Sequence, residues 1–262
     1  MIGFIGGGNM ASALIKGLTA IGIKDILVSE PNSNRAHYLF EEYGVNATFN
    51  NIKIANTCEI IILAVKPQII KGILDEIKQS LSDNVIIVSI AAGITLSLLK
   101  EGLNTEKIAR VMPNTPALVL EGMSVISFSD GMLKGDRDRV INLFKPTGKV
   151  LVLPEPKMNA VTALSGSGPA FIAYFIDAMI KGGIEQGLDE ESAKILAVQT
   201  LKGTAKLLET KPPDILIKEV TSPGGTTEAG LKVLTEAKTA DIIKQTILMA
   251  KQRGEELGKG IK

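Results

Sequence analysis

A chain of 262 residues suffices for one large domain or two ordinary ones, and 45% hydrophobic with 22% charged residues is a soluble globular composition. Lysine and arginine number 29 against 28 for aspartate and glutamate, so no net electrostatic case exists for nucleic acid or an anionic membrane. One cysteine, Cys58, and one histidine, His37, exclude a disulfide framework, argue against a thiolate or histidine-rich metal centre, and leave no metal site expected.

The N-terminal segment MIGFIGGGNMASALIKGL places a short apolar run before a glycine turn and an amphipathic helix. A second strand is expected over 26–31 (ILVSEP) and a helix over 35–44, closed by Gly44. EIIILAVKP (59–67) and NVIIVSIAAG (84–93) are nearly unbroken apolar runs, the pattern of strands buried on both faces, with a helix over 69–81 between them. Short strands follow at 107–113 and 122–129, a helix at 131–144, and a last strand in GKVLVLPEP (148–156). This alternation predicts a Rossmann-type, doubly wound, mainly parallel sheet over residues 1–154. Beyond Pro156 only helices are expected, over 159–186, 190–209, 214–220, 226–237 and 240–257, so residues 155–262 read as an all-α domain. The N-terminus is neither basic nor a long apolar run and no 18-residue apolar span follows, so a cytoplasmic protein is expected.

Gly6, Gly8 and Ala11 fall on the dinucleotide pattern G-x-G-x-x-G/A, with Gly7, Asn9 and Met10 between them. The first glycine makes the tight turn, the second admits a pyrophosphate, and the helix start presents amides to it. The cofactor expected is NADH or NADPH. Glu30, at the end of the second strand, can accept hydrogen bonds from ribose hydroxyls and would repel a 2′-phosphate, which favours NADH. Asn32, Ser33 and Arg35 just downstream could instead cradle that phosphate. Ala64, Val65, Lys66 and Pro67 leave the third long strand at the ligand-binding edge, and the small residues of SIAAG and VMPNTPA would border the nicotinamide.

Two stretches of the helical half stand out. NAVTALSGSGPAF (159–171) sets two serines and two glycines inside an apolar helix pattern, which implies close packing against cofactor, a neighbouring helix or another subunit. TSPGGTTEAGLKVL (221–234) reads as a helix start with Thr221 or Ser222 as N-cap, Pro223 in the first position and no acidic residue in the first turn. Such a start is an anion site, free for a substrate carboxylate held by the Ser222 hydroxyl and the amides of Thr226 and Thr227. The plain alternative is a glycine-softened helix start in a packed core.

IGFIGGGNMASALIKGL, AVKPQ, SIAAGI, RVMPNTPA, AVTALSGSGPAF and VTSPGGTTEAGL, in this order and spacing, resemble the pyrroline-5-carboxylate reductase family over essentially the whole chain. The resemblance implies hydride transfer from NAD(P)H to the C=N carbon of L-1-pyrroline-5-carboxylate, giving L-proline, the last step of proline biosynthesis. It places the carboxylate of pyrroline-5-carboxylate or proline on Ser222, Gly225, Thr226 and Thr227, with Val220 beside the ring nitrogen. Thr162 would lie close to the reacting ring and Glu155 at a carboxylate position the family uses. On the cofactor side it extends to Gly6–Ala11, Asn51, Ala64–Pro67, Ala91 and Ala92. It also implies a homo-oligomer built from dimers through residues 155–262.

Three positions depart from the family pattern. Asn159 stands where many members have Asp, Glu30 replaces a small or polar residue of NADPH-preferring members, and Glu209 is one place out from a family glutamate. Protonation of the ring nitrogen has two readings, a substrate that arrives protonated (preferred) or a relay by Thr162 from water or Glu155. A related imine or β-hydroxyacid reductase is disfavoured, because Lys157 precedes the first long helix and Lys181 lies too far along it. A non-catalytic dinucleotide sensor would need no carboxylate site.

Overall fold

The computed structural model describes residues 1–103 and 105–259. Eight strands form one sheet in the order β3-β2-β1-β4-β5-β6-β7-β8. They are β1 Ile2–Ile5, β2 Ile26–Ser29, β3 Asn46–Thr48, β4 Ile60–Leu63, β5 Ile86–Ser89, β6 Ile108–Met112, β7 Gly122–Phe128 and β8 Gly148–Val152. β3 to β6 run parallel in this order, whereas β7 is antiparallel to β6 and β8 parallel to β7. Helices α1 Asn9–Ala20, α2 Ser33–Tyr43, α3 Asn51–Thr57, α4 Ile70–Ile77, α5 Leu96–Leu103 and α6 Lys134–Phe144 belong to the same half.

The unbroken apolar runs are explained by two cores, one on each face. Side chains alternate across a strand, so Phe4 and Ile62 pack with Leu14, Ile15 and Phe144 on one face. Ile5, Ile61 and Leu63 pack with Ile54, Ile70 and Leu99 on the other. All four residues of β1, β2, β4 and β5 are buried. Cys58 belongs to this second core, and burial raises its thiol pKa.

Three elements, β3, α3 and α5, have no counterpart in the sequence reading. β3 is a three-residue edge strand of partly exposed residues, too short to show a period. α3 is capped by Asn50, whose side chain accepts from the Lys53 amide at 3.2 Å.

The remaining helices are α7 Met158–Val161, α8 Gly168–Glu185, α9 Glu190–Leu207, α10 Pro213–Glu219, α11 Thr226–Glu236 and α12 Thr239–Lys259, with a π turn at Thr162–Gly166 after α7. Asp189 caps α9 by accepting from the Ser192 amide at 2.9 Å. The chain packs as two units, Met1–Ser167 with Met249–Lys262, and Gly168–Leu248. This division differs from the 154/155 boundary expected above, which follows the end of the sheet.

The run Glu155–Glu185 forms 31 helical residues, with mean hydropathy 1.3 over an 18-residue window, 6% of it buried. By length and composition alone it could cross a membrane, contrary to the expectation that no such span exists. The expected single helix over 159–186 is also corrected, because the π turn interrupts it.

Candidate active site

The glycine turn joins β1 to α1. Gly6 has φ +97°, and a Cβ there would lie 2.6 Å from the Ala64 carbonyl, so only glycine fits. Gly8 is the N-cap of α1, with no side chain capping the helix and no acidic residue in its first turn. A Cβ on Gly8 would meet nothing within 4 Å, so the space beside this N-cap is open. Open space above uncapped amides at a helix start fits a phosphate.

The other residues expected on the cofactor side gather along the carboxyl edge of the same sheet. Glu30 follows β2 and accepts from the Gly7 amide at 2.8 Å and the Asn32 amide at 2.9 Å. Asn51 opens α3, accepting from the Ser29 hydroxyl at 2.7 Å and donating to Glu76 at 2.8 Å. Ala64 and Val65 are half-buried after β4, Lys66 is exposed, and Pro67 starts a 3₁₀ turn. Ala91 is buried and Ala92 exposed after β5. Arg35 donates through Nε to the Gly7 carbonyl at 2.6 Å and through Nη2 to the Ser12 hydroxyl.

Glu155 and Thr162 lie in this unit too. Glu155 accepts from the Leu96 amide at 2.7 Å and from Arg110 at 3.0 Å. The Arg110 side chain is 7% exposed, so this is a largely desolvated ion pair that also caps α5. Arg110 escaped the sequence reading, although a charged residue inside the apolar run IARV was a usable signal.

The π turn begins at Thr162, whose carbonyl accepts from the Ser167 amide at 2.8 Å. Such π turns are frequent at functional sites. The Thr162 hydroxyl donates to the Met158 carbonyl at 2.9 Å. Asn114 donates to the Ser165 carbonyl and hydroxyl at 3.3 Å each, and a Cβ on Gly166 would come within 2.5 Å of Met112 Cε. Ser165 and Gly166 therefore pack at the end of β6.

In the helical unit, Val220, Ser222, Gly225, Thr226 and Thr227 share one connection between α10 and α11. The N-cap is Gly225 rather than Thr221 or Ser222, and Pro223 lies before the helix. Pro223 and Gly224 occupy the centre of a β-turn closed by the Gly225 amide on the Ser222 carbonyl at 3.0 Å. Gly224 has φ +69°, as the third residue of a type II turn requires. A Cβ on Gly225 would run into the Ser222 side chain. Both glycines therefore have a local structural reason.

The later helix start also brings an acid into the first turn. Glu228 accepts from the Gly224 amide at 2.8 Å, which corrects the expectation that no anionic side chain stands there. Thr226 and Thr227 occupy the first helical positions, whose amides have no intrahelical partner.

The sheet, its glycine turn and the open α1 start define a dinucleotide-binding protein of the Rossmann class. Residues 1–93 match the family described as NADP oxidoreductase, coenzyme F420-dependent. Residues 155–257 match pyrroline-5-carboxylate reductase dimerisation.

The chain is 39% identical to a pyrroline-5-carboxylate reductase of Arabidopsis thaliana, covering 98% of this chain and 95% of that one. It is 38% identical to the Escherichia coli K12 enzyme, covering 98% of each. Pyrroline carboxylate reductase of Plasmodium falciparum, solved with NADP bound, superposes with a TM-score of 0.89 at 31% identity, covering 98% of this chain and 97% of that one. The Coxiella burnetii structure gives 0.91 at 34%, with the same coverage. The chain belongs to the pyrroline-5-carboxylate reductase family.

Proposed function

We propose that this protein reduces L-1-pyrroline-5-carboxylate to L-proline with NADH or NADPH, the last step of proline biosynthesis. The observation that carries the proposal is end-to-end relatedness to reductases of this name in a chain that also holds an open dinucleotide cradle. The bound nicotinamide supplies the hydride. The protein's part is to bind and orient cofactor and substrate.

In this reading the first-turn amides of α1 hold the pyrophosphate and Glu30 faces the ribose. Asn51, Ala64–Pro67, Ala91 and Ala92 border the cofactor. Ser222 and the amides of Thr226 and Thr227 hold the substrate carboxylate, with Val220 beside the ring. The Thr162 hydroxyl spends its proton on the Met158 carbonyl, which leaves its lone pairs as acceptors. It therefore suits an iminium N–H, which supports a substrate that arrives protonated. Glu155 is engaged by Arg110 and Leu96, which supports a positioning role over a proton relay.

Residues 1–154 serve the cofactor, and residues 155–262 serve substrate binding and dimerisation. The apolar exposed surface of α8 falls within the matched dimerisation segment, which supports a subunit interface over a membrane span. We read the protein as a cytoplasmic homodimer, or a larger assembly of dimers, with no nucleic-acid or membrane partner.

A steady-state assay with pyrroline-5-carboxylate and either cofactor tests the function, together with proline-dependent NAD(P) reduction at high pH. Turnover of a β-hydroxyacid with none of the imine would replace this reading with the related reductase. Cofactor binding without turnover of either would leave the sensor.

A further inference from the structure

Gly7 occupies a free position of the dinucleotide pattern, yet both peptide units that flank it are gripped. Its amide donates to Glu30 Oε2 at 2.8 Å, and its carbonyl accepts from Arg35 Nε at 2.6 Å. The carboxylate holds the N–H of the Gly6–Gly7 peptide and the guanidinium holds the C=O of the Gly7–Gly8 peptide, so the pair fixes the orientation of the two successive peptide units that make the turn.

Each grip is itself anchored. Glu30 Oε1 accepts from the Asn32 amide at 2.9 Å, and the Asn32 side chain accepts from the Arg35 amide at 3.0 Å, capping α2. Arg35 Nη2 also donates to Ser12, a residue 4% exposed in the second turn of α1. The guanidinium lies 4.7 Å from the Tyr38 ring centroid. The turn has no slack towards α2 either, since a Cβ on Gly7 would meet Leu39 Cδ1 at 2.7 Å.

We propose that Arg35 is a positioning residue of the phosphate turn, serving NADH and NADPH alike, rather than a reader of the 2′-phosphate. Glu30 is its counterpart on the preceding peptide unit, Gly6–Gly7. The inference rests on the dinucleotide-binding reading above. It revises the expectation that Arg35 could cradle the 2′-phosphate, because Arg35 is held by Gly7 and Ser12.

The test is equilibrium fluorescence titration of NADH and NADPH on the parent protein, Arg35→Met and Arg35→Lys, with melting of the ligand-free proteins alongside. Arg35→Met weakens both cofactors by about the same factor, on the order of tenfold, as expected for a lost charge-assisted bond. Arg35→Lys recovers part of this, because an ammonium can serve one of the two acceptors. Saturating cofactor restores kcat, and the KM for pyrroline-5-carboxylate stays put, a split that general destabilisation would not produce.

Loss of NADPH affinity alone overturns the proposal and makes Arg35 the phosphate reader. Unchanged affinity for both cofactors overturns it equally. Failure of the parent to bind either cofactor would instead strike the dinucleotide-binding reading itself. Glu30→Gln checks the other end. An amide presents one acceptor where two N–H groups need one each, so the Gly7 or Asn32 contact is lost and both cofactors weaken together.

Discussion

The sheet-bearing half and the helical half of this chain treat apolar residues in opposite ways. The first hides them: β1, β2, β4 and β5 are buried along their whole length, and two contiguous cores fill both faces. The second displays them. In α8 only Gly168 is buried, in α11 no residue is, and Tyr174, Ile195 and Leu196 are 79%, 60% and 55% exposed. A monomer rarely presents so much apolar surface. The difference teaches that one half completes its core within a single chain, whereas the other is finished by a second copy, as the matched dimerisation family supports.

The largest expected effect comes from breaking that second half. Tyr174→Asp combined with Leu196→Asp would bury unpaired charge at the interface. We expect a monomer by size-exclusion light scattering and activity down roughly 100-fold or more. NADH binding by the sheet-bearing half should survive. A variant that remains dimeric, or that loses NADH binding in step with assembly, would break the comparison. In the parent, melting of the helical half should depend on protein concentration.

A smaller change tests division of labour within the intact assembly. Gly225→Val forces the Ser222 side chain aside and deforms the turn before α11. The expected result is a KM for pyrroline-5-carboxylate raised by roughly tenfold or more, with NADH affinity nearly unchanged. Equal losses of substrate and cofactor would remove the carboxylate from this loop.

Glu228 offers a change in the other direction. Its carboxylate holds the Gly224 amide and places negative charge where the substrate carboxylate is proposed to bind. Glu228→Gln should lower the substrate KM by roughly two- to fivefold, the size of a charge effect at a helix start. kcat and cofactor affinity should hold. An unchanged or raised KM would show that Glu228 does not oppose the substrate.

The smallest effect concerns the cap of α9. The hydrogen bonds from Ser192 hold the Asp189 pKa below its ordinary 3.8. A lowered folded-state pKa contributes stability above the unfolded value and loses it as pH falls through the folded one. Asp189→Ala should therefore lower the Tm slightly at pH 7, with the difference fading below pH 3.8. A difference that persists in strong acid would mean the cap is not electrostatic.

How much of this was legible in the sequence depends on how far each feature reaches along the chain. EIIILAVKP and NVIIVSIAAG announced β4 and β5 because burial on both faces leaves an unbroken apolar run within a few residues. The turn at Gly6–Ala11 was legible because one left-handed glycine and one open N-cap are local requirements.

Tertiary structure alone decided the rest. The reversal of β7 is invisible locally, since a strand's pattern reports its burial and not its neighbour's direction. The π turn at Thr162–Gly166 packs against Met112 and Asn114, about fifty residues away. The Arg110–Glu155 pair spans 45 positions, and the grip on Gly7 spans 23 and 28. The helix over 226–237 starts at Thr226 as its pattern implied, but a β-turn consumed Pro223 and Gly224 and moved the N-cap to Gly225, which left Glu228 in the first turn. Local pattern records what each residue needs, a pocket or a partner. Which partner meets it is set by packing, because the charges and amides that pair here come from separate elements.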